Sequence, residues 1–238
     1  MKDFQRLDKL LSNSGIGSRS DVRKIIKAGR VAVNGAAEKA ADAKIEETAE
    51  ILIDGKAFIY KKHIYIMMNK PFGVLSASED QRDETVIDLL PEHLKRRGLF
   101  PAGRLDKDTE GLLIITDDGV LAHNMLSPKK HISKTYFARI EGEVSDADIA
   151  AFKKGIVLEE GFKCLPSELT ILTSGFISEI ELTIYEGKFH QIKRMFLARD
   201  KRVAYLKRIC MGKLKLDVTL KSGEARELTK EEKNLLLS

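Results

Sequence analysis

The amino-acid sequence predicts an α+β protein, with a small helical module at the N-terminus and a mixed or antiparallel sheet in the remainder. Apolar residues near the N-terminus have helical spacing, whereas short apolar runs between turn residues follow further along the chain. Strands and helices do not alternate in a regular βαβ rhythm, which argues against a purely parallel sheet. We expect two domains, over residues 1–60 and 64–238.

The N-terminal module is expected to begin with two short helices. The leucines of residues 7–11 have the i, i+3, i+4 spacing of an amphipathic helix, which should end near Ser14. Ser18 or Ser20 can cap the second helix, because a serine oxygen accepts a hydrogen bond from a free N–H of the first turn. Gly29 should end this second helix.

The remaining elements follow from short apolar runs and capping residues. The predicted strands are residues 31–33, 51–53, 64–68, 112–116, 135–140, 180–185 and 213–218. The first two are followed by Asn-Gly and Asp-Gly, which favour tight hairpin turns. The predicted helices of the larger domain are residues 119–126, 145–154, with Ser145 as N-cap, and 190–199.

Positive charge is concentrated in the N-terminal module. The net charge is +5, and residues 1–35 hold eight Lys or Arg against three Asp, 8 − 3 = +5, so the rest is balanced. A basic module on a neutral body indicates binding to a polyanion, whereas a solvated helix face is the alternative. The basic residues expected to contact phosphates are Arg6, Lys9, Arg19, Arg23, Lys24, Lys27 and Arg30.

The cysteines and the apolar runs indicate the cellular compartment in which we expect the protein. Cys164 and Cys210 form no CxxC pair and have no histidine nearby in metal-ligand spacing. We therefore expect a reduced cytoplasmic protein without disulfides or structural zinc. The first residues contain no apolar signal sequence, and no apolar run approaches the roughly 20 residues of a membrane span.

Three segments of the N-terminal module resemble a known RNA-binding family. They are RLDKLL at residues 6–11, GSRS at residues 17–20 and IIKAGRVAVNG at residues 25–35. Together they resemble the S4 module, whose pattern is R-L-D-x-x-L, then S-R, then G-x-V-x-V-N-G. The resemblance implies that residues 1–60 bind RNA.

An acidic segment at residues 103–119, GRLDKDTEGLLIITDDG, surrounds one buried strand. It allows four interpretations. The acids can be polar turns around a strand, or ligands of Mg²⁺, which prefers clustered carboxylates. Asp-Lys-Asp-Thr also faintly resembles an aspartyl-phosphate motif, but the offsets of its Thr and Gly do not fit. The fourth interpretation is a nucleophilic Asp106 flanked by Arg104.

Several motifs resemble one enzyme family over nearly the whole chain. They are G-R-L-D-x-x-T-x-G-L-L-x-x-T-x-D-G at residues 103–119, NKPFG at 69–73, Ser127-Pro128 followed by KTY at 134–136, EGKFHQIKRMF at 186–196, and V-x-x-L-x-R-x-x-x-G at 203–212. These are the motifs of the RsuA-type pseudouridine synthases. Met211 stands where the family usually has Ile, a conservative departure. The acidic motifs, His123 and the KTY segment are closer to the small-subunit rRNA branch than to the large-subunit relatives.

The resemblance implies roles for the catalytic residues. Asp106 would attack C1′ or C6 of the target uridine, and a neighbouring cation would hold its charge. Lys193, at a position where related branches carry Arg, is the first candidate for that cation, and Arg194 is the second. Tyr136 would support the uracil ring, although a strand tyrosine of the core is the alternative.

The resemblance also implies binding roles. Arg104 would enter the base stack or hold phosphate while the uridine is extruded, unless it is a surface arginine paired with Asp108 or Asp117. Leu206 would wall the pocket. Lys70 would touch RNA or be solvated, and His190 would be structural or contact phosphate. We expect Asp108, Asp117 and Asp118 to be turn and capping groups.

The resulting hypothesis is an enzyme that converts one uridine of rRNA to pseudouridine as a monomer and without a cofactor, because the reaction imports no electron or group. The small-subunit branch implies uridine 516 of 16S rRNA, although the sequence itself does not identify the uridine. A 23S rRNA enzyme of the same family is one alternative. A non-catalytic RNA-binding or ribosome-assembly factor is the other.

Overall fold

The computed structural model describes residues 4–127 and 130–236; Pro128 of the Ser-Pro motif, and Lys2 and Asp3 of the basic N-terminal segment, lie outside them. The chain forms two compact units, Met1–Ile64 with Pro91–Leu99, and Tyr65–Leu90 with Phe100–Ser238. Residues 91–99 therefore group with the first unit, whereas the sequence prediction assigned them to the second domain. Within this unit the Arg96 guanidinium donates hydrogen bonds to the carbonyl oxygens of Lys61 and Lys62.

The first unit contains short helices and strands around a small core. Its elements are β1 (Phe4–Arg6), α1 (Leu7–Asn13), α2 (Arg19–Lys27), β2 (Val31–Val33), β3 (Ala36–Ala37), β4 (Lys44–Glu46), β5 (Ile51–Ile53), β6 (Lys56–Phe58) and a 3-10 helix at Glu92–Leu94. β1 pairs with β4, and the other strands form an antiparallel sheet in the order β3-β2-β5-β6. Three leucines of α1 pack on Val22 and Ile26 of α2, as the apolar spacing predicts.

Local signals of the first unit give the expected local structure. The Ser18 side chain caps α2 by accepting a hydrogen bond from the backbone N–H of Asp21. Asn34 and Gly35 both have positive φ angles, 50° and 82°, between the paired strands β2 and β3. This is the left-handed geometry of a tight hairpin turn, which Asn-Gly adopts at little cost.

The second unit is built on a mixed sheet with helices. Its elements are β7 (Tyr65–Lys70), β8 (Phe100–Pro101), β9 (Glu110–Thr116), α3 (Gly119–Leu126), β10 (Lys134–Glu141), α4 (Asp146–Lys154), β11 (Glu168–Thr173), β12 (Ile177–Ile184), α5 (Gln191–Leu197), β13 (Arg202–Met211), β14 (Leu214–Lys215), β15 (Ala225–Glu227) and α6 (Lys230–Leu235). The strand order is β11-β12-β10-β13-β9-β7-β15, with β8 beside β9 and β14 beside β13. Among the paired strands of the described chain, β9 and β13 run parallel and the others antiparallel. The predicted α+β fold with a mixed sheet is confirmed.

One strand prediction was wrong. Residues 213–218 were expected to form a strand, but β14 is only two residues long, and Asp217 accepts hydrogen bonds from Thr219 in a turn. The long strand is β13, which the apolar pattern did not reveal because Arg202, Lys207 and Arg208 interrupt its apolar residues. None of the helices in residues 4–127 and 130–236 has both the length and the apolar character that crossing a membrane requires.

Candidate active site

Asp106 lies on the connection between β8 and β9, and this connection is anchored on both sides of it. Ser76 holds Leu105, because its hydroxyl donates to the Leu105 carbonyl at 2.9 Å and accepts from the Leu105 N–H at 3.1 Å. On the other side, the Lys107 carbonyl accepts from the Gly73 N–H at 2.8 Å. The backbone around Asp106 is therefore fixed before any substrate is bound.

Lys70 is a buried anchor for the same connection. Its side chain is completely buried, and its ammonium donates to the carbonyl oxygens of Pro71, Lys107 and Thr109 at 3.0, 3.4 and 3.0 Å. Burial lowers the pKa of Lys70 to about 8, against the opposing charges of nearby carboxylates. The prediction that Lys70 contacts RNA or solvent was wrong, because a fully buried ammonium cannot reach either.

A glycine places the Asp106 connection beside the centre of the sheet. Gly111 of β9 pairs with Arg208 of β13 across the parallel contact. A Cβ atom at Gly111 would lie 2.2 Å from the Arg208 carbonyl oxygen, and the φ of Gly111 is +99°. Only glycine permits this approach. Arg208 is in turn paired with Tyr136 of β10, and Tyr136 and Asp106 line the same cleft.

The segment after β12 brings two cationic or titratable groups to Asp106. Lys193, on α5, places its ammonium 3.4 Å from Oδ2 of Asp106. His190, the residue just before α5, places Nε2 3.7 Å from Oδ1 of the same carboxylate. The Lys193 ammonium also lies 2.5 Å from Oδ1 of Asp108. Both carboxylates of the Asp-Lys-Asp segment thus share one lysine.

The second candidate cation has a different partner. The Arg194 guanidinium forms an ion pair with Glu160 and donates to the Phe189 carbonyl. Of the two candidates in the sequence, Lys193 is therefore the residue beside Asp106.

The Lys193 ammonium also affects the second carboxylate of this segment. Burial acts to raise the pKa of Asp108, but the Lys193 ammonium outweighs this effect, and the pKa of Asp108 lies below its usual range.

These side chains line one cleft of the second unit. Its walls are formed by Arg104, Leu105, Asp106, Thr109, Tyr136, Ile184, Gly187, Lys188, His190, Gln191, Ile192, Lys193 and Leu206. Tyr136 and Leu206 are buried, at 8% and 5% exposure, whereas Arg104 is exposed. Within the described residues Arg104 forms no ion pair, so its expected alternative pairing with Asp108 or Asp117 is not observed. Asp118 caps α3, as the sequence predicts.

Sequence reasoning missed some residues that shape this cleft. The Gln191 amide donates to Glu186, and its carbonyl oxygen accepts from the Lys188 N–H at 2.9 Å, so it fixes the turn before α5. Gln191, Lys188 and Gly187 all belong to the segment EGKFHQ. The motif therefore contains the signal for these three residues, but the sequence alone does not indicate what each one does.

The basic residues of the first unit fall into two groups. Arg6 and Arg23 donate to the buried Asp8, and the Arg6 guanidinium, with Arg23, lowers the pKa of Asp8 to about 2. Arg30 pairs with Asp54, and Lys24 pairs with Asp21. The remaining expected phosphate contacts are exposed and form no ion pair within the described residues; they are Lys9, Arg19 and Lys27.

Comparison with known proteins decides the family. A family model described as RNA pseudouridylate synthase matches residues 64–198, and an S4 domain model matches residues 5–51. The chain belongs to the RNA pseudouridylate synthase family. It is a pseudouridine synthase with an N-terminal S4 domain, and the family and enzyme class expected from the motifs are confirmed.

Relatives of this pseudouridine synthase match nearly its whole length. An uncharacterized RNA pseudouridine synthase, YtzG of Bacillus subtilis, is 49% identical, with 97% of this chain and 98% of the relative covered. The ribosomal small subunit pseudouridine synthase A of Vibrio cholerae is 39% identical over 95% of this chain and 97% of the relative. The ribosomal large subunit pseudouridine synthase B of B. subtilis is 36% identical over 96% and 94%.

A solved structure described as a pseudouridylate synthase has the same fold. It is similar with a TM-score of 0.69 and 35% identity, covering 97% of this chain and 99% of that chain. Within residues 4–127 and 130–236, no group of three or more His, Cys, Asp or Glu is placed to hold a metal ion.

Proposed function

We propose that this pseudouridine synthase modifies a uridine of small-subunit rRNA, with Asp106 as its nucleophile. The observation that carries the proposal is the contact of Asp106 with Lys193 in a cleft that Tyr136 and Leu206 also line. An ammonium 3.4 Å away stabilises negative charge on the carboxylate, which a nucleophile requires. The anchored backbone holds that carboxylate in one place.

The reaction needs no external electron or group. The carboxylate of Asp106 attacks C1′ or C6 of the uridine, the N1–C1′ bond breaks, and the uracil turns. A C5–C1′ bond then forms, the carboxylate leaves, the proton on C5 is released, and N1 takes up a proton. Lys193 holds the charge of Asp106 before the attack and after its release.

The other cleft residues receive and position the base. Tyr136 provides an aromatic plane against the detached uracil, and Leu206 closes an apolar wall behind it. Arg104 is exposed at the cleft and free to bind phosphate or to fill the stack when the uridine is flipped out. The S4 unit anchors structured rRNA through its exposed cations, foremost Lys9, Arg19 and Lys27.

The relatives support rRNA as the substrate, but their names include both subunits. The motifs at residues 103–119 and 134–136 favour the small-subunit branch, for which the family-implied target is uridine 516 of 16S rRNA. The alternative is a uridine of 23S rRNA. We propose the small subunit and retain the large subunit as an outcome of the test.

The nucleophile is tested with Asp106→Asn, which keeps the shape of the side chain and removes its charge. We expect no measurable tritium release from C5-labelled rRNA and nearly unchanged rRNA binding. Asp146→Asn is the matched control, because Asp146 is an exposed residue of α4 outside the cleft. Undiminished release from Asp106→Asn refutes the proposed nucleophile.

The substrate is tested by mapping pseudouridines in both rRNAs from a strain that lacks this protein. We expect one pseudouridine to disappear from 16S rRNA and to return with the wild-type gene, but not with the Asp106→Asn gene. Loss from 23S rRNA instead selects the large-subunit alternative. Unchanged maps of both rRNAs refute rRNA as the substrate.

A further inference from the structure

An exposed aromatic ring stands at the edge of the cleft, next to its titratable residues. Phe189 is 75% exposed although it is a large apolar side chain. Its ring is stacked on that of His190, with centroids 3.8 Å apart and an angle of 17° between the planes. His190 lines the cleft, and its Nε2 is 3.7 Å from the Asp106 carboxylate. The two stacked rings therefore extend from the Asp106 carboxylate to the protein surface.

The backbone holds this stack in place. His190 has a φ of 49°, the left-handed region that side chains other than glycine seldom adopt. The Arg194 guanidinium donates to the carbonyl oxygen of Phe189, and Gln191 fixes the Lys188 N–H just before it. A left-handed conformation persists when its surroundings hold it, and such residues occur often at functional sites.

Exposure alone would not distinguish Phe189, because single exposed apolar residues are common. Phe176 is even more exposed, at 92%. Phe176 directly precedes β12, whereas Phe189 lies five residues beyond its last residue, so the eight residues of the strand lie between them. Phe189 differs in its stacked partner and in its place beside the nucleophile. The chain also contains no Trp, so Phe, Tyr and His must provide its aromatic surfaces.

We propose that Phe189, supported by His190, is a stacking platform for the nucleobase next to the target uridine. The inference rests on the proposed function, in which the substrate is RNA with a flipped uridine. Flipping removes one base from the stack, and its neighbour then exposes a face that an aromatic ring can cover. Stacking accepts every base, so the platform positions the RNA and does not read its sequence.

The first experiment compares Phe189→Ala with Phe176→Ala, which removes a more exposed ring next to the other end of β12. We expect Phe189→Ala to raise KM for an rRNA substrate about tenfold with little change in kcat, as the loss of one base stack predicts. Phe176→Ala should match wild type, and Phe189→Tyr should restore KM. An abasic nucleotide beside the uridine should raise the wild-type KM by a similar factor and add nothing in Phe189→Ala.

The second experiment needs no turnover and separates this inference from the choice of rRNA. A single-stranded RNA that carries 2-aminopurine next to a uridine is titrated with each protein, because stacking quenches 2-aminopurine emission. We expect quenching by wild type and Phe176→Ala, and about tenfold weaker quenching by Phe189→Ala at equal protein concentration. Equal behaviour of the two alanine variants, or no quenching by wild type, overturns the platform. If the deletion strain loses an rRNA pseudouridine but the two alanine variants quench equally, the proposed function is supported and the stacking platform is refuted.

Discussion

The ammonium of Lys193 lies 3.4 Å from Oδ2 of Asp106, although the two residues are 87 positions apart in the chain. The adjacent Arg194 is engaged with Glu160 instead. The sequence offers both as partners of Asp106, the proposed nucleophile. The geometry of α5 decides between them, because the side chains of consecutive helical residues leave the helix in different directions.

Lys193→Met should lower kcat by about a hundredfold, because the charge beside Asp106 is lost while the length of the side chain is kept. Lys193→Arg retains a cation and should stay within about tenfold of wild type. Arg194→Met is the matched control, and its kcat should be near wild type. Tritium release at saturating rRNA measures kcat for all three, and a larger loss for Arg194→Met than for Lys193→Met contradicts the assignment.

Gly111→Ala should destabilise the second unit by about 3 kcal/mol or more, because the new Cβ would overlap the Arg208 backbone at a positive φ angle. Thermal unfolding should show a midpoint roughly 10 °C lower, together with lost activity. Gly119→Ala is the control: a Cβ there meets no atom within 4 Å, so its midpoint should be unchanged or slightly higher. Equal midpoints for the two variants would show that the close approach is unimportant.

Lys70→Met should lower kcat more than it changes KM, because the carbonyl oxygens of Lys107 and Thr109 lose their donor and the Asp106 connection loosens. The side chain is remote from solvent, so substrate binding is not directly affected. Steady-state kinetics on rRNA measure the two constants. A Lys70→Met variant with higher KM and unchanged kcat would instead support a direct contact between Lys70 and RNA.

The stability contributed by Lys70 should depend on pH in a specific direction. Burial lowers its pKa from 10.5 in the unfolded chain to about 8 in the folded protein. Between these values the unfolded chain binds more protons, so the free energy of unfolding rises with pH. The gain of wild type relative to Lys70→Met should reach on the order of 3 kcal/mol across this window. Urea unfolding from about pH 7 to pH 10.5 measures it, and a constant difference would contradict the burial of an ammonium group.

Replacing Lys9, Arg19 and Lys27 together by Gln should weaken binding to an rRNA transcript and reduce its salt dependence. Each phosphate contact contributes nearly one unit to the slope of log K against log salt, so the slope should fall by about 3. The control replaces Lys153, Lys154 and Lys163, which are exposed in the second unit and carry the same charge. Equal slopes for the two triple variants would refute the S4 unit as the RNA anchor.

Much of the local structure could be predicted from the sequence. α3 has the predicted bounds of residues 119–126, and Ser145 caps α4 with a capping box. The Asn34-Gly35 turn also follows directly from its residues. These features depend on side chains within a few positions of each other, so local physics determines them. The long strand β13 escaped prediction because its charged residues mask the apolar alternation.

The sequence by itself determined the family, the α+β class and the candidate site residues, because motif spacing and local propensity depend on residues that are close together in the chain. Only the tertiary structure decided which of them meet. It placed Lys193 and not Arg194 at Asp106, buried Lys70 beneath the connection, and stacked Phe189 on His190. Such contacts depend on strand order and helix orientation, which bring together side chains far apart in the chain, so no local pattern encodes them.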